Sequence, residues 1–345
     1  MSSTSRDATR EQPARALPWD EHWRLAEHVT PALSYDGGAF AAWQHRAHTA
    51  LSDLIRFDPA HVPACQARHV WTRQHRLGRI EKLVLVSDNG TAVPIYWCLP
   101  DAGEGRRPAM ICLQGHTTGM HCSIGVSQAN EMVDEPVAGD RDFALQCMAR
   151  GVAAVCVEQR GFGERRDDFT QRTDCQHMAM RALMLGRTLV GERVADVALV
   201  CRWLLQREEV DPQRVGVMGN SAGGTTAMYA AAIIDAINLL VPSCSFGFLR
   251  DTWFKGRRCV CGYVPGMMPV LDLPDVVALR APRPVLIVGG ATDYHCPAGP
   301  LDRAFAALRQ RYEAAGAAEA CELLVGPEGH RFYAELAWPR IMVWL

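Results

Sequence analysis

The chain has 345 residues, of which 48% are hydrophobic and 21% charged, the balance of an ordinary globular protein with a sizeable core, and this excludes a largely disordered chain. At roughly 150 residues per domain, the length suits one large or two small domains. Lys+Arg 36 against Asp+Glu 38 leaves a net charge of −2, so no bulk attraction to nucleic acid or to an anionic membrane is expected.

Residues 1–17, MSSTSRDATREQPARAL, read as a disordered tail without the apolar stretch of a secretory signal. From about Trp19 to Arg79 the pattern reads as helical and rich in Trp, His and Ala, with Trp43, Ala47, Leu51 and Leu54 at three- and four-residue spacing. Its histidines (His45, His48, His61, His69, His75) suit a cover over a sheet edge or a contact between copies of the chain better than a metal site. Around Glu81 the texture changes. Lys82 to Val86, the turn Ser87-Asp88-Asn89-Gly90, and Val93 to Leu99 read as an antiparallel hairpin, with Asn-Gly supplying positive φ.

Short apolar strands and amphipathic helices then alternate to the C-terminus. The strand candidates are Ala109–Leu113, Val152–Val157, Arg214–Met218, Leu239–Pro242, Pro284–Val288 and Glu322–Val325, continuous apolar runs that suit strands covered on both faces of a parallel sheet. The clearest helix runs from about Val190 to Gln206, with Val190, Val194, Val197, Cys201 and Leu204 on one stripe; Asp211-Pro212 marks the turn into the next strand. These elements predict an α/β fold, a mostly parallel central sheet with helices on both faces. The expected division is an N-terminal tail and helical extension over 1–80 and an α/β domain over 81–345. No stretch reaches the ~18 apolar residues of a membrane span, and the 13 cysteines are an odd number scattered over a long chain. Reduced thiols in a soluble, cytoplasmic protein are therefore expected.

Ligands of such sheets sit beyond the carboxyl ends of the strands. There, the strand ending at Met218 runs into Gly219-Asn220-Ser221-Ala222-Gly223-Gly224, followed by a helical segment from Thr225 to Ile234. Gly-x-Ser-x-Gly on a strand-to-helix turn forces the serine into strained backbone geometry with its hydroxyl above the sheet, while small residues on either side let strand and helix pass closely.

The segment from about Glu81 to Leu345 resembles an α/β-hydrolase, most similar to the dienelactone-hydrolase-like and acetyl-xylan-esterase-like branch. The likeness is carried by Leu189-Val190-Gly191-Glu192-Arg193-Val194-Ala195-Asp196, by the run Val210 to Gly224, by Ala281-Pro282-Arg283-Pro284-Val285-Leu286-Ile287-Val288, and by Gly326-Pro327-Glu328-Gly329-His330-Arg331-Phe332-Tyr333. The dienelactone hydrolases carry Cys at the elbow where this chain has Ser, which favours an ester hydrolase of the serine type.

A serine hydroxyl needs a base to take its proton, and the base needs an acid to fix its tautomer. His330 closes the segment after the last strand, and of the two histidines beyond Ser221 the other, His295, lies two residues from the best acid. That acid is Asp293, directly after the strand Pro284–Val288; Asp251 is the fallback, with Asp272 and Asp275 weaker. For the oxyanion hole, Ala222 N–H is one expected donor, and by resemblance to the family's His-Gly loop the segment Gln114-Gly115-His116 supplies the second from His116.

Glu158-Gln159-Arg160-Gly161-Phe162-Gly163 resembles the family's acid-x-Arg-Gly-x-Gly loop, with a structural role of ion pairs and tight turns. The charged stretch Glu164 to Asp174 is expected as a solvated loop. The apolar stretch from Phe246 to Met268 reads equally as core or as a lid and acyl pocket. His116, His121 and Cys122 lack a matching pair elsewhere, and Cys259-x-Cys261 is short and unpartnered, so neither a metal nor a cofactor is expected. The reading is a serine hydrolase acting on a small ester through Ser221, His330 and Asp293. A peptidase, amidase or carbon–carbon hydrolase on the same residues is the alternative; a non-catalytic scaffold would require a missing triad member.

Overall fold

The computed structural model describes residues 18–101, 105–116, 118–166, 175–254 and 258–345; the expected disordered tail and residues 167–174 of the charged loop lie outside them. Two helices open the chain, α1 (Pro18–Glu27) and α2 (Phe40–Ile55). Along α2, Trp43, Ala47, Leu51 and Ile55 form the buried stripe, and Leu54 packs partly buried beside it. A single 3-10 turn, Pro59–His61, follows before the chain turns to strand. Residues Cys65–His75 form strand β1, and Gly78–Ser87 form β2, paired antiparallel from Cys65 opposite Ser87 to His75 opposite Gly78. The helical reading of Trp19 to Arg79 is thus corrected from Cys65 onward, and the expected boundary between 80 and 81 falls inside β2. β1 is an edge strand whose residues are mostly exposed on both sides, so it lacks the apolar alternation by which a half-buried strand is recognised.

The other strands fall where the apolar runs place them: β3 (Ala92–Pro100), β4 (Arg107–Leu113), β5 (Ala153–Val157), β6 (Val210–Asn220), β7 (Leu239–Ser243), β8 (Val285–Gly290) and β9 (Cys321–Gly326). They form one sheet in the order β1-β2-β3-β5-β4-β6-β7-β8-β9, antiparallel as far as the β3–β5 pair and parallel from β5 to β9. The turn expected at Asp211-Pro212 is absorbed into β6 as a register shift against β4 between Arg107 and Ala109. At the β2–β3 turn, Gly90 alone takes positive φ (83°), not the Asn89-Gly90 pair.

Side chains alternate across the sheet with the period of two that a pleated strand imposes. In β4, Ala109, Ile111 and Leu113 enter one core with residues of α2, α5 (Leu189–Leu204), α6 (Ala222–Ile233), α7 (Leu273–Ala278) and α8 (Ala298–Ala314). Met110 and Cys112 enter the opposite core with α3 (Phe143–Met148) and α9 (Ala334–Trp344). The predicted stripe on α5 is buried along its whole length, and Thr188 caps that helix by accepting the Gly191 N–H at 2.9 Å. Helices on both faces leave the carboxyl ends of β4, β6, β7, β8 and β9 as the place where loops converge. No helix among the described residues is long and apolar enough to cross a membrane.

Candidate active site

Ser221 is the single residue between β6 and α6, at φ 57° and ψ −118°, a positive φ that a residue with a Cβ adopts only when its surroundings enforce it. The enforcement is visible. Its N–H donates to the Ser243 carbonyl at the end of β7 (2.8 Å), and its carbonyl accepts the Thr225 N–H (2.9 Å), the first bond of α6. The flanking glycines are required by contact: a Cβ on Gly219 would lie 2.5 Å from the Gly223 carbonyl carbon, and one on Gly223 would lie 2.1 Å from the Leu113 carbonyl oxygen. Strand, turn and helix therefore cross at backbone distance, as the motif predicts.

The loop leaving β4 runs alongside. Gln114 is buried and its amide donates to Ser123 Oγ (2.8 Å) and to the Arg141 carbonyl (2.7 Å), which anchors the loop. Gly115 follows, and a Cβ there would sit 3.5 Å from the Ser221 Cβ. His116, Ser221 and Ala222 line one cavity of about 420 Å³ together with Trp253, Arg258 and His295. Ala222 opens α6, so its amide belongs to the first turn, where N–H groups have no acceptor within the helix.

Asp293 follows β8 and His330 follows β9. Asp293 Oδ2 accepts from His330 Nδ1 at 2.9 Å, with the carboxylate wholly buried and the imidazole 22% exposed. The other oxygen, Oδ1, accepts the His295 N–H at 2.8 Å, so the acid is fixed from two sides. Burial alone would raise the Asp293 carboxyl, but the hydrogen bond and charge of His330 outweigh it and hold the group below its ordinary range. The His295 ring lies 4.9 Å from that of His330, and burial, with Arg258 and His330 nearby, pushes it down to about 4. A further tie joins the two halves of the site: the Ser243 hydroxyl lies 3.0 Å from Asn220 Oδ1 and 3.2 Å from the Arg331 carbonyl.

The alternative acids have other partners. Asp251 pairs with Arg303 (3.1 Å) and Asp275 with Arg311 (2.6 Å), while Asp272 caps α7. The Glu158–Gly163 loop is the expected scaffold of ion pairs: Arg160 makes a bidentate pair with Asp196 (2.8 and 2.9 Å), and Arg165 reaches the same carboxylate at 2.7 Å. Glu158 is buried and pushed up to about 8 by that burial. The apolar stretch after β7 divides: Phe246 and Met267 are core, whereas Trp253 faces the cavity.

One cluster went unread in the sequence. Cys259-x-Cys261 is not unpartnered: His116 and Cys175, the first residue of α4 (Cys175–Met184), meet it, and the four ligand-type atoms lie within 4.8 Å of one another. His121 and Cys122 stand apart from the cluster, contacting each other at 3.4 Å. Hydrogen bonds from Cys175 and Cys259 hold the Cys261 thiol far below the ordinary range, and Cys259 and Cys261 push His116 up to about 9. The only sequence signal was the Cys-x-Cys pair itself, since its partners come from segments distant in the chain.

The Abhydrolase family model matches residues 24–247. A curated relative, YtaP of Bacillus subtilis, provisionally named a hydrolase, is 27% identical over 254 residues, covering 73% of this chain and 82% of YtaP. Among solved structures, a Bacteroides fragilis protein provisionally named an acetyl xylan esterase superposes with TM-score 0.80 at 19% identity, covering 98% of this chain and 97% of that one. A glucuronoyl esterase from Solibacter usitatus does so with TM-score 0.64 at 16% identity, covering 92% and 93%. The match over most of the chain, together with the strand order and the Ser221 turn, establishes that this protein belongs to the Abhydrolase family and has the α/β-hydrolase fold.

Proposed function

We propose that the protein is a serine hydrolase that cleaves a carboxylic ester through an acyl-enzyme, with Ser221 as nucleophile, His330 as general base and acid, and Asp293 as the residue that orients His330. The observation that carries this reading is the 2.9 Å hydrogen bond between His330 and Asp293, made beyond the carboxyl ends of β8 and β9, at the same end of the parallel strands where β6, with β7 between, bears the strained Ser221 turn. In this scheme the Ser221 hydroxyl attacks the ester carbonyl carbon as His330 Nε2 takes its proton, and the carbonyl oxygen becomes an oxyanion facing the main-chain N–H groups of Ala222 and His116. Collapse breaks the bond to the alcohol, which leaves with the proton from His330. Water then repeats the sequence on the acyl-serine and releases the acid. Asp293 stays ionised throughout and stabilises the imidazolium that forms twice per cycle.

The cavity beside Ser221 suits a small ester, and the names of the structural neighbours make short acyl esters of carbohydrates the first substrates to try. None of the 13 cysteines is in a disulfide, which suits a reducing compartment, and we propose that the protein is cytoplasmic. The test is labelling of the purified chain by a serine-directed fluorophosphonate, with Ser221→Ala as control. Label on wild type and none on the variant supports the assignment; label that survives the substitution overturns it. Nitrophenyl esters assayed beside aminoacyl anilides separate esterase from peptidase.

A further inference from the structure

Beside the cavity, three cysteines and a histidine from three separate segments converge: His116 after β4, Cys175 at the start of α4, and Cys259 and Cys261 on the short turn around Val260–Gly262. His116 Nε2 lies 3.1 Å from Cys175 Sγ, and Cys175 Sγ lies 3.3 Å from Cys259 Sγ. At 3.3 Å Cys175 and Cys259 are not joined by a disulfide, whose S–S bond is about 2.05 Å. They are close to a coordination polyhedron. With Zn–S near 2.3 Å and Zn–N near 2.05 Å, a tetrahedral ion has S–S edges of about 3.8 Å and S–N edges of about 3.6 Å. The separations of 3.1 and 3.3 Å are each about half an ångström shorter than those edges, so an ion fits once the ligands spread by that amount.

The surroundings favour a negatively charged centre. Arg193 is buried, stacks 4.3 Å from the Phe162 ring, and donates to the Arg160 carbonyl and, at 3.7 Å, to Cys261 Sγ. Among the described residues it forms no ion pair with a carboxylate. A buried cation in that position needs a compensating anion. Three thiolates, one neutral imidazole and one divalent cation sum to −1, the charge that balances the guanidinium. The Cys261 N–H also points at Cys259 Sγ (3.5 Å), a donor for a thiolate that carries charge.

We propose that His116, Cys175, Cys259 and Cys261 bind one structural Zn²⁺. Binding displaces three protons to solvent, from Cys175, from Cys259 and from the Cys261–His116 pair, leaves His116 neutral and bound through Nε2, and changes no oxidation state. Four protein ligands close the tetrahedron, so the ion takes no substrate and its task is mechanical. It joins the loop beside Ser221 to α4 and to the cavity wall. The proposal does not depend on the esterase reading, because its readouts are spectroscopic and chemical.

The full chain, reduced and stripped with a chelator, is titrated with Co²⁺ without oxygen. One equivalent is expected to give a thiolate-to-cobalt charge-transfer band and the intense visible bands of tetrahedral cobalt, both erased by one equivalent of Zn²⁺. Cys259→Ala and Cys261→Ala lose these bands, Cys122→Ala keeps them, and Arg193→Gln weakens binding on the order of 10- to 100-fold, as removal of a partner behind a ligand does. A featureless titration of the wild-type chain overturns the proposal. Alkylation of the wild-type chain covers the case of variants that do not fold. Zn²⁺ should slow modification of Cys175, Cys259 and Cys261 and leave Cys65 unaffected; equal rates with and without Zn²⁺ overturn it.

Discussion

Asp293 and His330 meet across the ends of two adjacent strands, a wholly buried carboxylate 2.9 Å from an imidazole that still faces solvent. An amide in place of the carboxylate keeps the shape but offers the ring the wrong tautomer. Asp293→Asn is expected to lower kcat for a nitrophenyl ester on the order of 10³–10⁴-fold with the fold intact, as loss of the orienting charge does in serine hydrolytic triads. A variant with the wild-type rate and wild-type circular dichroism would remove Asp293 from this role. Because its folded carboxyl sits below the ordinary range, its contribution to stability is full above the unfolded value and is lost as pH falls through the folded one.

Gly223 has no room for a methyl group. Its Cβ would meet the carbonyl oxygens of Leu113 at 2.1 Å and Gln114 at 2.6 Å, both backbone atoms that a rotamer change cannot move. Gly223→Ala should cost at least the upper end of the ~1–3 kcal/mol seen for overpacking. It should also slow fluorophosphonate labelling, because the helix must retreat from β4 and take the turn with it. Urea midpoints and labelling rates measure the two effects; an unchanged midpoint would show that the crossing is looser than these distances imply.

Glu158 gives the fold an unusual pH slope. Burial raises its carboxyl from an ordinary 4.5 to about 8, so the folded state prefers the protonated form. That preference is fully present below about pH 4.5 and drains away as pH rises through about 8, a loss on the order of a few kcal/mol. Glu158→Gln, which cannot ionise, should flatten this slope between about pH 5 and pH 8 in denaturant titrations. Parallel curves for variant and wild type would show that Glu158 does not titrate there.

Asp196 holds two guanidiniums at once, Arg160 and Arg165. Replacing it by Asn, at a site 2% exposed, leaves Arg165 facing a neutral amide and Arg160 with Glu192 alone, at 3.1 Å. Both arginines remain partly wet, which moderates the penalty, so a loss of about 3 kcal/mol is expected, near the lower end for a broken buried pair. Thermal unfolding of Asp196→Asn checks this, and a change below about 0.5 kcal/mol would place the pair among surface bridges.

The parallel half of the sheet was legible in the sequence because its strands are continuous apolar runs with both faces covered, and the Ser221 turn because its glycines are imposed by backbone contacts local to the motif. Asp293 and His330 were legible as residues that follow strands. What failed has a common cause. β1 is stabilised by pairing with β2 along an exposed edge, and backbone hydrogen bonds leave no trace in side-chain periodicity. The cysteine–histidine cluster depends on the fold to bring Cys175 and His116 to Cys259 and Cys261. No spacing rule spans segments separated by strands and helices.

Ser243 sits between the two halves of the candidate site, its carbonyl holding the Ser221 amide and its hydroxyl bridging Asn220 and the Arg331 carbonyl. The nucleophile's strand and the base's loop thus share one clasp at the tip of β7. Loosening that tip by warming would unhitch both partners together, so hydrolysis should fade at temperatures where the rest of the molecule is still folded, whereas Ser243→Ala keeps the carbonyl tie to Ser221 and releases only the contacts of the hydroxyl.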